Sequence, residues 1–543
     1  MFLTRVAMAS ALFLVLPALT EPSTFASSSS AVTAAGPALP SDFNGDGVED
    51  RIIGVPSDGA EEIFRTGGVH VLYGPGPDGT APVDQYFGLR NAPIGPLLKQ
   101  HPGLFGAVMA SGDFDRDGYA DVAISVPGFD EPDVDAERIN VGGVVVIYGT
   151  AGGLDPEGAQ PVEVWSQDHP RVQGVSEDDD AFGSALAVGD FDGDDHLDLA
   201  VGIEGEQTGP DARNSGAVTV LFGNAEGLTS RDQVVDQDTR GILDASETGD
   251  WAGDSLAAGD FDADGVDDLA LGVFSESFDG RRDAGAVNVI YGTRDVGLTG
   301  RGDQFLNQGL ESIEGQPRRS DMFGATLAVG DHDGDGFDDL AVGAPEDRVA
   351  GVEDAGSVTV LPGSAEGVRA QRSTTFNLRD LLDSDLDGAR FAGALATGDV
   401  DGDGFDELAI GAPWHSGRPG RVDVLAGGPD GLRLTDRQPL RPDALDSSYL
   451  VPGFETFGSA LQLGEFDVTP GADLLVGMAR ADLAHDSSYW PLAGAAVLLL
   501  SRDGALTFEG GQILHQGTAP IGRAPGQNES FGSAVPGSSL YTE

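Results

Sequence analysis

Beyond Pro40 the apolar residues fall in short runs of Val, Ile, Leu and Ala bounded by Gly, the pattern of half-buried and fully buried strands. No stretch carries the three-to-four-residue apolar spacing of an amphipathic helix. Three kinds of run recur in a fixed order. The first couples an aromatic residue to Gly: LFGAV from Leu104, AFGSAL from Ala181, WAGDSL from Trp251, MFGATL from Met322, FAGALA from Phe391, TFGSAL from Thr456 and SFGSAV from Ser530. The second follows an acidic loop and reads RIIGVP, VAISVPG, LAVGI, LALGV, LAVGAP, LAIGAP and LLVGM. The third opens with a small residue and Gly: GGVHVLYG, GGVVVIYG, SGAVTVLFG, AGAVNVIYG, AGSVTVLPG, PGRVDVLAG and AGAAVLLLS. A fourth, less patterned strand completes each unit, so every repeat is expected to form a four-stranded sheet.

The acidic loops start at residues 42, 113, 190, 260, 331, 399 and 465, at spacings of 71, 77, 70, 71, 68 and 66. Seven four-stranded units of this size predict an all-β fold, a seven-bladed β-propeller over residues 41–543. An extended solenoid would need atypical caps at both ends. Here the ends are complementary instead: the loop at Asp42 lacks an aromatic-Gly strand before it, and the strand at Phe531 lacks an acidic loop after it. The propeller is therefore expected to close by pairing of its N- and C-terminal segments. Phe531 to about Ser538 would lie beside the strand that follows Asp42, removing exposed sheet edges.

The loops read DFNGDGVED, DFDRDGYAD, DFDGDDHLD, DFDADGVDD, DHDGDGFDD, DVDGDGFDE and the eroded EFDVTPGAD. Carboxylates at positions one, three, five and nine converge while Gly at position six lets the backbone turn tightly. Oxygen-only donors suit a hard cation of high coordination number, hence Ca²⁺ rather than Zn²⁺, with Mg²⁺ disfavoured by its preference for water. The candidate ligands are Asp42, Asn44, Asp46 and Asp50; Asp113, Asp115, Asp117 and Asp121; Asp190, Asp192, Asp194 and Asp198. They continue with Asp260, Asp262, Asp264 and Asp268; Asp331, Asp333, Asp335 and Asp339; and Asp399, Asp401, Asp403 and Glu407. Up to six Ca²⁺ are expected. Asn44 removes one charge from the first loop, Asp195 replaces the sixth-position Gly of the third, and Glu465, Thr469 and Gly471 mark the seventh as a non-binder. His196 and His332 lie inside loops, where their side chains are expected to point outward.

Charge narrows the partners. The 543 residues carry 90 acidic against 30 basic side chains, a formal net charge of −60. Such a surface repels nucleic-acid phosphates and anionic lipid, and six Ca²⁺ would leave it strongly acidic. Cys is absent, which excludes disulfides, thiolate metal sites and cysteine nucleophiles. Met1 to Thr20 has one Arg and then an apolar run from Val6 to Leu19, too short for a spanning helix and arranged as a secretory signal. Residues 1–34 are read as signal peptide and leader, cleaved after Ala26 or Ala34, and no other segment is apolar for long enough to span a bilayer. The mature protein is expected to be secreted, with no membrane insertion.

The phrases FGATLAVGDHDGDGFDDLAVGAP from Phe323 and FAGALATGDVDGDGFDELAIGAP from Phe391 resemble the FG-GAP repeats of the integrin α-subunit head. They are also similar to the propeller of glycosylphosphatidylinositol-specific phospholipase D. The resemblance spans nearly all of residues 41–543 and implies a seven-bladed propeller. It further implies that Asp113, Asp115, Asp117, Asp121 and their counterparts are structural calcium ligands, on the face opposite the ligand-binding loops. No inserted adhesion domain, leg domain or membrane span accompanies it, so it implies an integrin-like head standing alone.

On the face away from the acidic loops, Ser57–Thr66, Asp130–Asn140, Glu204–Asn214, Ser275–Asp283 and Trp414–Pro419 are candidate binding loops. Trp414, His415 and Trp490 are the candidate anchors, because aromatic residues in loops often carry binding energy. Arg301-Gly302-Asp303 spells an integrin-recognised tripeptide in a Gly- and Asp-rich stretch, a weak signal. Asn528-Glu529-Ser530 is a glycosylation sequon. No HExxH, nucleophile elbow or phosphate-binding GxxxxGK is present. The reading is thus an extracellular binding or adhesion module with a protein or glycan ligand. The alternative is a secreted propeller hydrolase or lyase directed at phospholipid or glycan, its site unmarked by motif.

Overall fold

The recurring runs become one antiparallel meander per repeat in the computed structural model. It describes residues 38–543 apart from 59–65, 75–82, 89–102, 133–136, 230, 382–387, 416–418, 446–449, 452–455, 486–487, 519, 524–525, 527 and 537–543. The leader expected over residues 1–34 lies outside the described residues, as do parts of the loops at Ser57–Thr66, Asp130–Asn140 and Trp414–Pro419. Blade 4 shows the plan: Ser255–Gly259, Asp268–Val273, Ala286–Tyr291 and Thr299–Leu306, paired in sequence order. Blades 2, 3, 5, 6 and 7 repeat it from inner strands at Met109–Gly112, Phe182–Gly189, Thr326–Gly330, Ala394–Gly398 and Leu461–Gly464. Blade 1 has three strands, Arg51–Gly54, Gly68–Tyr73 and Val83–Gly88. The architecture is a seven-bladed β-propeller. Among the described residues the α-helix is a single turn, Leu378–Leu381, and no helix is long and apolar enough to cross a membrane.

Both faces of the inner sheets are buried, which is why their strands read as continuous apolar runs. Seven buried clusters each draw from two neighbouring blades. The aromatic residue of each aromatic-Gly run enters one of them: Phe105, Phe182, Phe323, Phe391, Phe457 and Phe531, with Ala252 in the variant blade. Small inner-strand residues, among them Ala187, Ala257 and Ala328, line a central cavity of about 320 Å³.

The invariable Gly that opens each third strand has a steric cause. The backbone of the next repeat's aromatic-Gly run crosses it as a parallel bridge, as in Gly142–Phe182, Gly420–Phe457 and Gly494–Phe531. At Gly285, φ is +84° and a Cβ would stand 2.2 Å from the carbonyl oxygen of Phe323 and 2.4 Å from its nitrogen. Gly285→Ala is expected to destabilise the protein by about 2–4 kcal/mol, combining left-handed strain with a backbone clash. A denaturation midpoint equal to wild type would contradict this.

The last aromatic-Gly run behaves like the others. Phe531 bridges Gly494 of blade 7, and Ala534 bridges Gly54 of blade 1 through Gly54 N–H to Ala534 O, 2.9 Å, and Gly532 N–H to Gly54 O, 3.0 Å. Phe531 and Val535 share a buried cluster with Ile53, Val55 and Leu72.

The Arg301-Gly302-Asp303 tripeptide is not displayed on a loop. It lies within the outer strand of blade 4, and buried Asp303 accepts the N–H of Leu243 at 2.6 Å and Asn288 Nδ2 at 3.3 Å. Asn528 of the sequon is exposed.

Candidate metal centre

Five of the acidic loops join the inner strand of a blade to its second strand, the loop at Asp42 leads directly into Arg51–Gly54, and the same hydrogen-bond skeleton shapes all six. The first carboxylate accepts the N–H groups of residues five and six. Asp113 takes Asp117 and Gly118, both at 3.0 Å, and Asp260 takes Asp264 at 3.0 Å and Gly265 at 2.9 Å. Asp42, Asp190, Asp331 and Asp399 do the same. The ninth carboxylate ties the loop to its own blade. Asp268 accepts Phe261 N–H at 3.0 Å and Gly292 N–H, just past the third strand, at 2.9 Å. Asp50, Asp121, Asp198, Asp339 and Glu407 hold the equivalent pair.

With the backbone so placed, the carboxylates meet. Asp113, Asp115 and Asp121 each present an oxygen within 4.8 Å of the others, as do Asp260, Asp262 and Asp268, and Asp331, Asp333 and Asp339. In the loop at Asp190 the convergent set is Asp190, Asp192 and Asp194. The fifth-position residues Asp117, Asp264 and Asp335 also accept the N–H two residues on. Asp195 adopts φ +69°, the left-handed conformation that glycine takes in its sister loops.

The donor set fits a hard divalent cation: carboxylate oxygens turned toward one point, buried throughout in the set at Asp113 and partly exposed in the others. Burial raises Asp50, Asp198 and Asp268 to about 8 and Asp339 and Glu407 to about 7, with neighbouring loop carboxylates adding and backbone N–H bonds opposing. A cation held there would supply the missing positive charge and cross-link both ends of the loop. The seventh loop, which lacks the pattern, is served by side-chain cations. Arg502 pairs with Asp467, and buried Arg51 lies near Asp473.

The sign of the pH dependence follows. Without metal, the folded chain retains protons that unfolded carboxylates, near 4, release. Stability of the chelated protein therefore falls as pH rises from about 4 toward 8. Its melting temperature in chelator is expected to be lower at about pH 8 than at about pH 5. Saturating Ca²⁺ should remove that decline, because binding requires ionised ligands. A chelated protein equally stable at both pH values would contradict the account.

One of the two loop histidines sits differently from the expectation. His332 points inward: fully buried, it replaces the Phe of its sister loops, shares a hydrogen bond between Nδ1 and Asp406 O at 2.8 Å, and burial lowers it to about 4. Position two of every loop is an inter-blade core position, filled by Phe43, Phe114, Phe191, Phe261 or Val400 elsewhere. His196 does stay at the surface, against Asp194.

The eighth position adds residues that ligand spacing does not reveal. Asp267, Asp338 and Asp406 accept the N–H of Asp190, Asp260 and Asp331 in the preceding blade, at 2.7, 2.9 and 3.1 Å. Their own N–H groups return to the carbonyls of those residues at 2.9, 3.2 and 3.0 Å. The doubled acids at the loop ends, Asp267-Asp268, Asp338-Asp339 and Asp406-Glu407, are the sequence trace of this contact.

Of the candidate anchors, Trp414 is half-buried, with the guanidinium carbons of Arg390 and Arg480 at 4.9 and 5.4 Å from its ring centre. His415 beside it is buried, while Trp490 is half-buried in the Leu483–His485/Ser488–Trp490 ladder of blade 7.

A model of the FG-GAP repeat matches residues 105–148, 182–221, 323–361 and 391–425, which contain the loops at 113, 190, 331 and 399. The chain is an FG-GAP repeat protein, related to the integrin α-subunit propeller and to glycosylphosphatidylinositol-specific phospholipase D. Over 242 residues it is 34% identical to integrin alpha-PS2 of Drosophila melanogaster, covering 43% of this chain and 15% of that one. Over 204 residues it is 33% identical to phosphatidylinositol-glycan-specific phospholipase D of Rattus norvegicus, covering 37% of this chain and 23% of that one. Each match thus spans less than a quarter of the relative's length. Among solved structures, the exotype rhamnogalacturonan lyase YesX aligns over 87% of this chain and 71% of its own at 15% identity, with a TM-score of 0.38.

Proposed function

We propose that the chain is an exported, calcium-stabilised propeller that acts outside the cell as a binding or adhesion module for a protein or glycan. The observation that carries this reading is the convergence of carboxylates on one edge of successive blades, in a chain related to integrin α propellers. Calcium in these loops would stiffen that edge and hold neighbouring blades in register. The loops at the opposite ends of the second strands, Glu204–Asn214 and Ser275–Asp283 among them, would then be free to vary for a ligand, with Trp414, His415 and Trp490 as candidate contacts. The leader over residues 1–34 supports export, and secreted protein should begin after Ala26 or Ala34.

Relatedness to the phospholipase favours the second reading, a hydrolase or lyase acting on phospholipid or glycan. The two separate in one experiment. Purified protein is used to capture ligands from surface extracts and on a glycan array, with and without Ca²⁺, alongside a panel of phospholipid and glycan substrates. Calcium-dependent capture without turnover is expected. Turnover of a substrate would overturn the binding-module reading.

A further inference from the structure

The first acidic loop departs from its sisters at the third position. Where the loops at Asp331 and Asp399 carry Asp333-Gly334 and Asp401-Gly402, it carries Asn44-Gly45. A carboxamide therefore stands in the place of a carboxylate, and its Oδ1 is buried with no hydrogen-bond partner. Asn44-Gly45 is also the only Asn-Gly step in the 543 residues. Asparagine is chemically labile, and most so before glycine, because no side chain screens the next backbone nitrogen from the asparagine Cγ.

That nitrogen is free to react here. In two sister loops the fourth-position N–H is held: Gly334 donates to Asp331 and Gly402 to Asp399, each at 2.7 Å. In the first loop Asp42 accepts Asp46 N–H at 3.1 Å and Gly47 N–H at 2.8 Å instead. Among the described residues Gly45 N–H has no hydrogen-bond partner, and Gly45 is exposed to water. Asn214-Ser215, another step with a small following residue, is the opposite case. Ser215 is buried, and its N–H donates to Glu206 O at 3.0 Å.

We propose that Asn44 is a site of spontaneous deamidation in the folded chain, with water as co-reactant, which turns the first loop from amide-bearing to fully acidic. Gly45 N attacks Asn44 Cγ; the N–Cγ bond forms as the Cγ–Nδ2 bond breaks, and the proton of Gly45 N departs with Nδ2 as ammonia. Water then opens the cyclic imide. Its addition at Cγ breaks the new bond, returns a proton to Gly45 N and leaves an aspartate at position 44. Addition at the backbone carbonyl leaves isoaspartate, whose main chain runs through the side-chain carbons. The aspartate form has the donor pattern of the loops at Asp331 and Asp399, whereas the isoaspartate form lengthens the backbone inside a tight turn. The consequence for calcium rests on the reading of these loops as calcium sites; the deamidation itself does not.

The full chain, incubated at mildly alkaline pH in ¹⁸O-labelled water, is followed by peptide mapping that separates aspartate from isoaspartate. Most of position 44 should lose ammonia and take up one labelled oxygen before Asn214 changes detectably. Asn44→Gln, whose longer side chain cannot close the five-membered ring, should leave that peptide unlabelled. Label entering at Asn44 no faster than at Asn214 would overturn the proposal. Asn44→Asp, the product made directly, should bind Ca²⁺ more tightly than the freshly purified chain, since ligand charge strengthens such a site. Labelling without that gain would support the deamidation and count against calcium in the first loop, so the two failures are distinguishable.

Discussion

Deleting Gly526–Glu543 is expected to lower the melting temperature by at least about 10 °C or to abolish cooperative folding. The deletion removes Phe531 and Val535, buried between blades 1 and 7, Ala534, buried between blades 1 and 2, and both backbone bonds to Gly54. Loss of a buried Phe side chain alone costs about 3–5 kcal/mol, within a total stability on the order of 5–15 kcal/mol for a folded domain. Blade 1 would be left with Arg51–Gly54 as an unpaired edge. Phe531→Ala should reproduce a large part of the loss while leaving the backbone pairing possible. A truncated protein that melts like the full chain would refute the idea that these contacts join the two ends of the ring.

Removing calcium is expected to have an effect of similar size. Each site contributes about 2.7 kcal/mol when free Ca²⁺ stands a hundredfold above its dissociation constant, so several sites together exceed any single substitution considered above. Chelator should lower the melting temperature by at least about 10 °C, and Ca²⁺ should restore it. A single-loop variant such as Asp262→Asn should show only a fraction of that shift. Equal melting with chelator and with calcium would mean that backbone hydrogen bonds alone hold the loops.

Much of this was legible in the sequence, because the determinants are local and repeat in phase. The aromatic-Gly run marks the start of a blade, where the structure packs Phe182 and Phe323 between neighbouring blades, and the small-Gly start of the third strand has its cause in the backbone that crosses Gly285. The missing inner strand of blade 1 is visible as the bare start at Asp42. What escaped depends on contacts between repeats. His332 reads as a surface loop residue until the neighbouring blade is seen to cover it. Asp303 completes a familiar tripeptide, yet its carboxylate is spent on Leu243 and Asn288. The eighth-position acids act across blade boundaries, where spacing within one loop is silent.

The central claim is that the acidic loops are calcium sites, and stoichiometry tests it most directly. Calorimetric titration of the chelator-stripped protein counts the sites, with a melting curve at each end. The account predicts about five or six sites and a large rise in melting temperature on saturation. One site or none, with an unchanged melt, would contradict it and reduce the loops to acidic turns on a propeller that stands without metal.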